Sequence, residues 1–404
     1  MKKRNFKFID LFSGIGAFHQ ALESLGGECV FASDIDKYAV ETYQDNYHMN
    51  SLCNIREVKE EDIPKHDVLC GGFPCQAFST AGHKKGFEDT RGTLFFEIAR
   101  ILKYHKTKYI ILENVKNLLG HDNGNTWKVI KNTLIELGYV LTEEPIVMSP
   151  NYLGIPQLRE RVFILGVHKS AVSKINKDLF YEKNGEKYLN IKTIKKKDAP
   201  QTSIYSVLDE LTEKENEKYA ITKYEELTLN AWDEFHKNIE PKVLGFPVWT
   251  FEFGENYDYS TYPKWKQDYI RKNRKLYLDN KKFIDKWITK YNVNGFKLRD
   301  KKFEWQAGDK YQSVWETSIQ LRQSGIRCKK PDYFPTLVAM VQTPIIGKYK
   351  RRMTVREVAR LQSFPDEFII NKDLHQAYKQ FGNSANVEII KFLAVQLLKD
   401  LVGE

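Results

Sequence analysis

At three places in the chain, side chains that can attack, protonate or bind a substrate lie next to a short apolar run. Two of these places follow their run and the third precedes it. Cys75 comes after a proline in GGFPCQAFST, Glu113 begins ENV after YIIL, and Arg159 and Arg161 alternate in QLRER before VFIL. Because the carboxyl ends of parallel strands meet at one edge of a sheet, Cys75 and Glu113 are expected to face one crevice. A thiol can act there as a nucleophile, a carboxyl with a raised pKa as a proton donor, and guanidinium groups as a grip on a phosphate or polarised carbonyl.

Each of these residues taken alone also has an ordinary structural interpretation. Glu113 is equally consistent with a solvated acid at a strand end. The two arginines are consistent with ion pairs at the protein surface. A lone cysteine is most often a packed thiol, which we expect of Cys29, Cys53 and Cys70. The five cysteines form no C-x-x-C pair and no Cys/His cluster with zinc spacing, so no metal site is predicted.

The segment DLFSGIG, residues 10–16, indicates a ligand-binding turn. Gly14 and Gly16 follow the first apolar run and would let a ligand approach the backbone closely. Asp34 lies about twenty residues further on, where an acid can accept hydrogen bonds from ribose hydroxyls. The third glycine of a dinucleotide-binding turn is missing, so the pattern favours a nucleoside-containing ligand of another kind. An ordinary tight turn is the alternative.

The alternation of apolar runs and helical periodicity over the first 168 residues predicts an α/β fold, a doubly wound and mostly parallel sheet. The predicted strands are 7–12, 29–32, 67–70, 109–112 and 161–165, and the predicted helices are 17–25, 37–46, 93–104 and 127–137. Residues 169–350 are rich in lysine and aromatic residues without a regular alternation, and one helix is predicted over 269–291. Residues 354–361 and 386–398 are predicted to form amphipathic helices that pack back on the first domain.

Length and composition limit the number of domains, the cellular setting and the kinds of partner that can be expected. The 404 residues exceed one average domain, and two are expected: 1–168 plus 352–404, and 169–351 with its linkers. No run of about 18 apolar residues is present, so no membrane span is expected. The odd cysteine count and the absence of a signal-peptide pattern predict a cytoplasmic protein. The net charge of +10 suits a polyanionic partner such as nucleic acid.

In order and spacing, DLFSGIG, GGFPCQAFS, ENV, QLRER and YKQFGNSANVEII resemble the motifs of the 5-cytosine DNA methyltransferases of restriction–modification systems. The resemblance covers about residues 6–168 and 352–401. It implies the Rossmann-like fold of class I S-adenosylmethionine-dependent methyltransferases, with a second, smaller target-recognition domain. The activity it implies is methyl transfer from S-adenosyl-L-methionine to C5 of a flipped-out cytosine in a specific double-stranded DNA site, leaving S-adenosyl-L-homocysteine.

The resemblance also carries catalytic roles to the matching positions. Cys75 would add to C6 of cytosine, and Glu113 would hold and protonate N3. Arg161, helped by Arg159, would grip the base at its O2 side. Residues 76–93 resemble the family's mobile catalytic loop. The expected DNA contacts are Gln76, Ser79 and Lys85 in that loop, and Arg322, Arg327 and Thr336 in the middle region, where Thr336-Leu337 matches the family's threonine–leucine pair.

For the cofactor, the resemblance implies that Phe12 stacks near the adenine and that Asp34 takes the ribose hydroxyls. The remaining expected contacts are Gly14 and Gly16 at the methionine part, Asn383 closing the pocket, and Ile35, Asn54, Ile55 and Pro74. Two positions depart from the family pattern. Asp34-Ile35 stands where glutamate and tryptophan are usual, and Asn54 stands where an acid is usual, so weaker or altered cofactor contacts are expected.

Other functional classes are less consistent with the motifs. An NAD-dependent oxidoreductase would need the third glycine, and an exocyclic-amine methyltransferase would need a D/N/S-P-P-Y/F tetrapeptide, which the sequence lacks. The tRNA cytosine-5 branch usually has a second proline before its cysteine, where Phe73 stands here, and a short recognition region. A DNA-binding protein without activity would not need the Cys75, Glu113 and Arg161 set. A monomer is expected, with a cognate restriction endonuclease as a genetic partner.

Overall fold

The structure is a computed structural model that describes residues 6–74, 94–242, 245–337 and 343–402. Cys75 and residues 76–93 lie outside the described residues, and with them the predicted contacts Gln76, Ser79 and Lys85. The described chain forms two compact units, one of residues 6–201 and 358–402 and the other of residues 202–337 and 343–357. The divisions thus fall after residues 201 and 357, whereas the sequence suggested boundaries after residues 168 and 351.

The amino-terminal part of the first unit alternates strands and helices as predicted. Its elements are β1 (Phe6–Leu11), α1 (Ala17–Glu23), β2 (Gly27–Ser33), α2 (Lys37–Tyr47), β3 (Val68–Gly72), α3 (Leu94–His105), β4 (Tyr109–Val115), α4 (Asn125–Glu136), β5 (Tyr139–Leu141), β6 (Ile146–Met148), β7 (Arg161–His168), α5 (Lys169–Val172), β8 (Phe180–Lys183) and β9 (Glu186–Leu189). The five predicted strands and four predicted helices are confirmed with small differences in bounds. Strands β5 and β6 were not predicted.

The described strands of the first unit form a seven-stranded sheet in the order β2-β1-β3-β4-β7-β5, with β6 also paired to β7. Strands β2, β1, β3 and β4 are parallel, and β7 runs antiparallel to β4, β5 and β6. The apolar run of β4 is fully buried, as expected of a strand covered on both faces. Because β7 is reversed, its first residue lies at the same edge as the carboxyl ends of β1, β3 and β4.

The second unit contains a six-stranded sheet and helices that cover one of its faces. Its elements are α6 (Glu213–Tyr219), α7 (Lys223–Asn238), β10 (Val248–Trp249), α8 (Lys264–Asp279), α9 (Lys281–Tyr291), β11 (Lys302–Gln306), β12 (Ser318–Arg322), β13 (Gly325–Lys329), β14 (Ile345–Ile346) and β15 (Arg351–Arg352). The strand order is β10-β11-β13-β12-β14-β15. Phe303, Trp305 and Ile326 on one sheet face pack with Trp232 of α7 and Trp287 of α9 in a common apolar core.

The single helix predicted over 269–291 is two helices, α8 and α9, interrupted at Asn280. The Asn280 side chain accepts a hydrogen bond from the backbone N–H of Glu240 at 3.1 Å and donates one to its carbonyl at 3.0 Å. These contacts, to a residue 40 positions earlier, hold Asn280 in a non-helical conformation, with φ −119° and ψ 19°. The periodicity of the sequence alone gives no sign of such a long-range contact.

The chain returns to the first unit through α10 (Val355–Leu361), within which the division between the units falls. It continues with α11 (Leu374–Asn383), α12 (Val387–Leu397) and α13 (Lys399–Val402). Helix α12 packs on α1 with a buried apolar stripe, which confirms the predicted return of this helix to the first domain. Among the described residues, no helix is both long and apolar enough to cross a bilayer.

Candidate active site and cofactor cavity

A cavity of about 450 Å³ lies at the edge of the first-unit sheet where β1, β3 and β4 end and β7 begins. Segments following β1, β2 and β3 line it, together with the end of β4, the start of β7 and residues 379–385. A second cavity of about 380 Å³ shares Phe12, Asp34 and Pro74 with the first. Motifs that are far apart in the sequence therefore converge on two adjoining cavities at the edge where α/β folds bind ligands.

Glu113 and Arg161 form an ion pair inside the first cavity. The antiparallel register pairs Val115 with Arg161, so Glu113, two residues earlier, shares their sheet face. Its Oε1 lies 3.1 Å from Nε of Arg161, and both side chains are largely buried. Burial raises the pKa of the Glu113 carboxyl, and the nearby charges of Arg161 and Arg159 only partly oppose this rise. A carboxyl in this setting can hold a proton and deliver it to a base inside the cavity.

Arg159 lines the same cavity but has different partners. Its Nη2 donates hydrogen bonds to the carbonyls of Gly382 and Ser384, both at 2.9 Å, and the side chain is buried. Burial and the charge of Arg161 lower the pKa of Arg159 to about 9. Arg159 therefore holds the carboxyl-terminal segment in the cavity wall, whereas Arg161 faces the Glu113 carboxylate. The alternating spacing in the sequence did not reveal that the two arginines have different partners.

We expect Arg159→Lys to lower the free energy of unfolding by about 2 kcal/mol, because a lysine would not reproduce both hydrogen bonds to the carbonyls of Gly382 and Ser384. Urea unfolding followed by tryptophan fluorescence and circular dichroism would measure the change. Arg360→Lys is the matched control, since Arg360 pairs with the exposed Asp366, and a surface pair contributes at most about 1 kcal/mol. Equal unfolding free energies for the two variants would contradict the fastening role.

The residues that lead toward Cys75 lie beside Glu113. The side-chain amide of Asn114 donates a hydrogen bond to the carbonyl of Phe73 at 2.7 Å, which ties this segment to the end of β4. A Cβ added at Gly72 would lie 3.2 Å from Oε2 of Glu113, so glycine leaves room for the carboxylate. Pro74 lines both cavities. The last described residues before Cys75 are thus part of the wall that holds Glu113.

The turn after β1 is held by the Asp34 carboxylate. Its Oδ2 accepts the N–H of Gly14 and its Oδ1 accepts the N–H of Asp36, both at 2.8 Å. Phe12 lines both cavities with a φ of 56°, a left-handed conformation that costs a bulky residue about 1–3 kcal/mol. Gly16 is not among the residues that line the two cavities. A Cβ there would lie 2.2 Å from the Tyr47 ring, so its small size serves packing, and its contact with the cofactor stays a prediction.

The other predicted cofactor residues lie in the two cavity walls. Gly14, Asp34 and Asn383 line the first, and Asp34, Ile35, Asn54 and Ile55 line the second. Ile35 is 72% exposed, which leaves its apolar side chain free to be covered by a ligand. The Asn54 carbonyl oxygen accepts the N–H of Arg56 at 3.3 Å and keeps a lone pair for another donor.

Unsatisfied polar atoms test whether these cavities suit a polar ligand. The hydroxyls of Ser13 and Ser33 are buried, and neither has a hydrogen-bond partner among the described residues. Ser13 lines the first cavity and Ser33 the second. Free hydroxyls, a carboxylate and apolar walls together fit a nucleoside-containing cofactor with a polar tail. The described part of the chain places no group of three or more His, Cys, Asp or Glu side chains where a metal ion could be held.

Asp36 and Lys379 were not predicted, yet both line the first cavity. Lys379 Nζ lies 2.9 Å from Oδ2 of Asp36, while Oδ1 of Asp36 caps the start of α2. Burial acts to raise the pKa of Asp36, but the hydrogen bonds and charge of Lys379 outweigh it and the pKa is lowered. Asp36 directly follows the pair Asp34-Ile35, and Lys379 stands inside the motif YKQFGNSANVEII, so the only signal was proximity to predicted site residues.

The predicted DNA contacts of the middle region lie on the second unit. Arg322 and Arg327 both pair with Glu304, at 2.7 and 2.8 Å, which the sequence did not predict. Thr336 is exposed and Leu337 is buried. The threonine lies at the surface of this unit, whereas the leucine belongs to its interior, and the DNA contact of Thr336 stays a prediction.

The sheet order, the single reversed strand β7 and the cavity at the carboxyl ends of the parallel strands define the class I methyltransferase fold. The profile of the C-5 cytosine-specific DNA methylase family matches residues 6–399. The chain belongs to this family, and it is a DNA (cytosine-5-)-methyltransferase.

Named relatives support this assignment along the whole chain. The chain is 31% identical to the Type II methyltransferase M.AluI of Cellulosimicrobium cellulans, covering 97% of this chain and 92% of that protein. It is 34% identical to the Type II methyltransferase M.HpaII of Haemophilus parainfluenzae, covering 99% and 91%.

Two solved structures share the fold at low sequence identity. A DNMT2 mutant of Spodoptera frugiperda has a TM-score of 0.54 at 20% identity, covering 97% of this chain and 99% of that one. The Dnmt2 methyltransferase of S. pombe has a TM-score of 0.51 at 18% identity, covering 99% and 100%. At such identities the likeness concerns the fold alone.

Proposed function

We propose that the chain methylates C5 of one cytosine within a specific short double-stranded DNA site, using S-adenosylmethionine, Cys75 as nucleophile and Glu113 as proton donor. The observation that carries this proposal is the buried Glu113–Arg161 pair in the cavity whose wall continues through Phe73 and Pro74 toward Cys75. A target cytosine inside a duplex must leave the base stack to reach such a cavity.

The residues divide the chemistry between them. The Cys75 thiolate adds to C6 of cytosine while Glu113 gives its proton to N3, which turns C5 into an enamine-like carbon. In this proposal Arg161 orients the Glu113 carboxyl, with which it pairs, and donates an N–H to the base oxygen O2. The cofactor, when bound, supplies the electrophilic methyl group that C5 takes. Loss of the C5 proton to a base, elimination of the thiolate and return of the N3 proton to the Glu113 carboxylate then restore the ring and free Cys75.

Asp34 and Phe12 are the side chains best placed to hold the cofactor's nucleoside. Two lone pairs of the Asp34 carboxylate are used by backbone N–H groups, which leaves two for ribose hydroxyls. Phe12 lines both cavities, and Ile35 and Ile55 line the second cavity with it, a set of apolar side chains that suits an adenine. The free hydroxyls of Ser13 and Ser33 can bond to polar groups of the same ligand.

We expect Asp34→Asn to weaken S-adenosylhomocysteine binding by roughly tenfold or more, since bonds to a charged acceptor contribute about 1.5–3 kcal/mol. The new amide would also leave one of two backbone N–H groups without an acceptor. Isothermal titration calorimetry measures the affinity without requiring turnover. Asp62→Asn, at an exposed acid, is the control and should bind normally. Equal affinity of Asp34→Asn and the wild type would refute this role of Asp34.

The second unit is proposed to select the DNA sequence. The proposed division is a catalytic, cofactor-binding domain of residues 1–168 plus 352–404 and a target-recognition domain within 169–351. The compact units support the same division with shifted boundaries. The chain is proposed to act as a monomer that protects DNA from a restriction endonuclease of the same sequence specificity, a genetic partner rather than a physical one.

Bisulfite sequencing of a plasmid from a host expressing the chain tests this function. Unconverted cytosines are expected at one position of one short recurring sequence. A plasmid from cells expressing Cys75→Ser should convert completely. Full conversion of the wild-type plasmid, or methylation confined to tRNA from the same cells, would contradict the proposal.

A further inference from the structure

Two arginines on the open face of the second-unit sheet share one carboxylate. Glu304 on β11 accepts a hydrogen bond from Nη2 of Arg322 at 2.7 Å. It also accepts two from Arg327, from Nε at 2.8 Å and Nη2 at 3.1 Å. The strand register pairs Arg327 with Glu304 of β11 on one side and with Gln320 of β12 on the other. The opposite face of the same strands is apolar and buried in the core.

The carboxylate leaves a defined edge of Arg327 free to bind. A guanidinium has five N–H donors, and Glu304 takes two of them on the Nε side. The remaining end-on edge carries one N–H of Nη1 and one of Nη2, side by side. That edge matches the O6 and N7 acceptors that guanine presents in the major groove. Glu304 therefore fixes the direction in which Arg327 can make a bidentate contact.

Neighbouring polar atoms on this face also lack partners. Nε of Arg322 and Oε1 of Gln320 are buried, and neither has a hydrogen-bond partner within the described ranges. Buried polar atoms normally have partners, so an unpaired donor and an unpaired acceptor on one sheet face point to a polar ligand.

Charge and shape favour nucleic acid as that ligand. By the alternation of side chains along β11, β12 and β13, this face carries Lys302, Arg322, Arg327 and Lys329 with the acid Glu304, which gives four positive charges and one negative charge, a net of +3. Strands β12 and β13 form a hairpin whose connecting residues, Gln323 and Ser324, are exposed. Among the described strands, β14 pairs with β12 only at Ser318 and Ile319, so the turn end of this hairpin is the part of the sheet that can reach into the major groove of DNA.

We propose that this sheet face reads a guanine of the target site in the major groove, with Arg327 as the reading residue and Glu304 as its positioning residue. The proposal rests on the proposed DNA methylation and deepens it. Without Glu304, the two guanidinium groups would repel each other and turn toward solvent, so the end-on edge of Arg327 would lose its fixed direction.

Base analogues test the reading role. Once the methylated site is mapped, each of its guanines is replaced in turn by 7-deazaguanine, which lacks N7. At one guanine the replacement should weaken wild-type binding roughly tenfold, while Arg327→Met should bind both duplexes equally. The proposal is overturned if the site contains no guanine, or if every replacement weakens binding of the wild type and the variant by the same factor.

Glu304→Gln tests the positioning role. This variant keeps Arg327 but should lose most of the roughly tenfold preference for guanine over 7-deazaguanine. Glu234→Gln is the matched control, because Glu234 pairs with Lys290 and Tyr291 elsewhere in this unit, and it should keep the full preference. A full preference in Glu304→Gln would refute the positioning role. If the wild type methylates no DNA at all, the proposed function fails instead, independently of Glu304.

Discussion

The Cys75→Ser variant is expected to transfer methyl groups at least about a thousandfold more slowly than the wild type while still binding DNA and cofactor. A few per cent of an ordinary thiol is already thiolate near neutral pH, and thiolate is a strong nucleophile, whereas a serine hydroxyl is essentially un-ionised. Addition to C6 would therefore fail although the shape of the side chain is nearly unchanged. Single-turnover transfer of a labelled methyl group measures the rate, and calorimetry measures both affinities.

Another cysteine of the same unit supplies the control for this variant. Burial raises the pKa of the Cys29 thiol to about 12, so Cys29 is un-ionised at neutral pH and Cys29→Ser should retain activity. Near-normal turnover by Cys75→Ser would eliminate the nucleophilic mechanism.

A covalent trap gives a second readout for Cys75. DNA with 5-fluorocytosine at the target should remain attached to the wild type, because fluorine cannot leave as the C5 proton does and the thiolate is not eliminated. Cys75→Ser should form no adduct. Absence of the adduct with a wild-type enzyme that is active on normal DNA would count against addition by Cys75.

The main strands and helices of the first unit could be predicted from the sequence because they are long and their ends carry local sequence signals. Parallel strands such as β4 are continuous apolar runs, and their ends are followed by glycine or polar residues. Strands β5 and β6 have only three residues each and exist because both pair with the long strand β7. Such short strands depend on a partner distant in the sequence, which local periodicity does not record.

The carboxyl end of β4 predicts the crevice position of Glu113, but Arg161 reaches the same cavity only because β7 runs antiparallel to β4, which the sequence does not reveal. The partners of the other arginines are not predictable from the sequence either. Arg159 bonds to carbonyls more than 200 residues later, and Arg322 and Arg327 meet Glu304 about twenty residues earlier. Alternating spacing shows on which face a side chain lies, whereas the acceptor it meets is set by tertiary packing. The second unit shows the same limit, since its sheet combines strands of two to five residues from distant segments.

The second large effect is expected from Glu113→Gln, which should lower the rate of methyl transfer by roughly a hundredfold to ten-thousandfold. The amide can still hydrogen-bond to the base but cannot release a proton to N3, so C5 would not become nucleophilic. Cofactor affinity should change little, because the substitution keeps the shape of the side chain. Glu160→Gln is a suitable control, since Glu160 lies near this site but pairs with Lys116 at the surface.

The pH dependence of the reaction distinguishes proton donation from simple hydrogen bonding by Glu113. Because burial raises the Glu113 pKa, the protonated donor persists to higher pH than in an ordinary glutamate. The wild-type rate should rise on the acid side as Cys75 ionises and fall on the basic side as Glu113 loses its proton, giving a bell-shaped profile. Glu113→Gln should keep the acid limb and lose the basic limb. A basic limb that survives unchanged in Glu113→Gln would show that another group donates the proton, and the part of Glu113 would then reduce to orienting the base with Arg161.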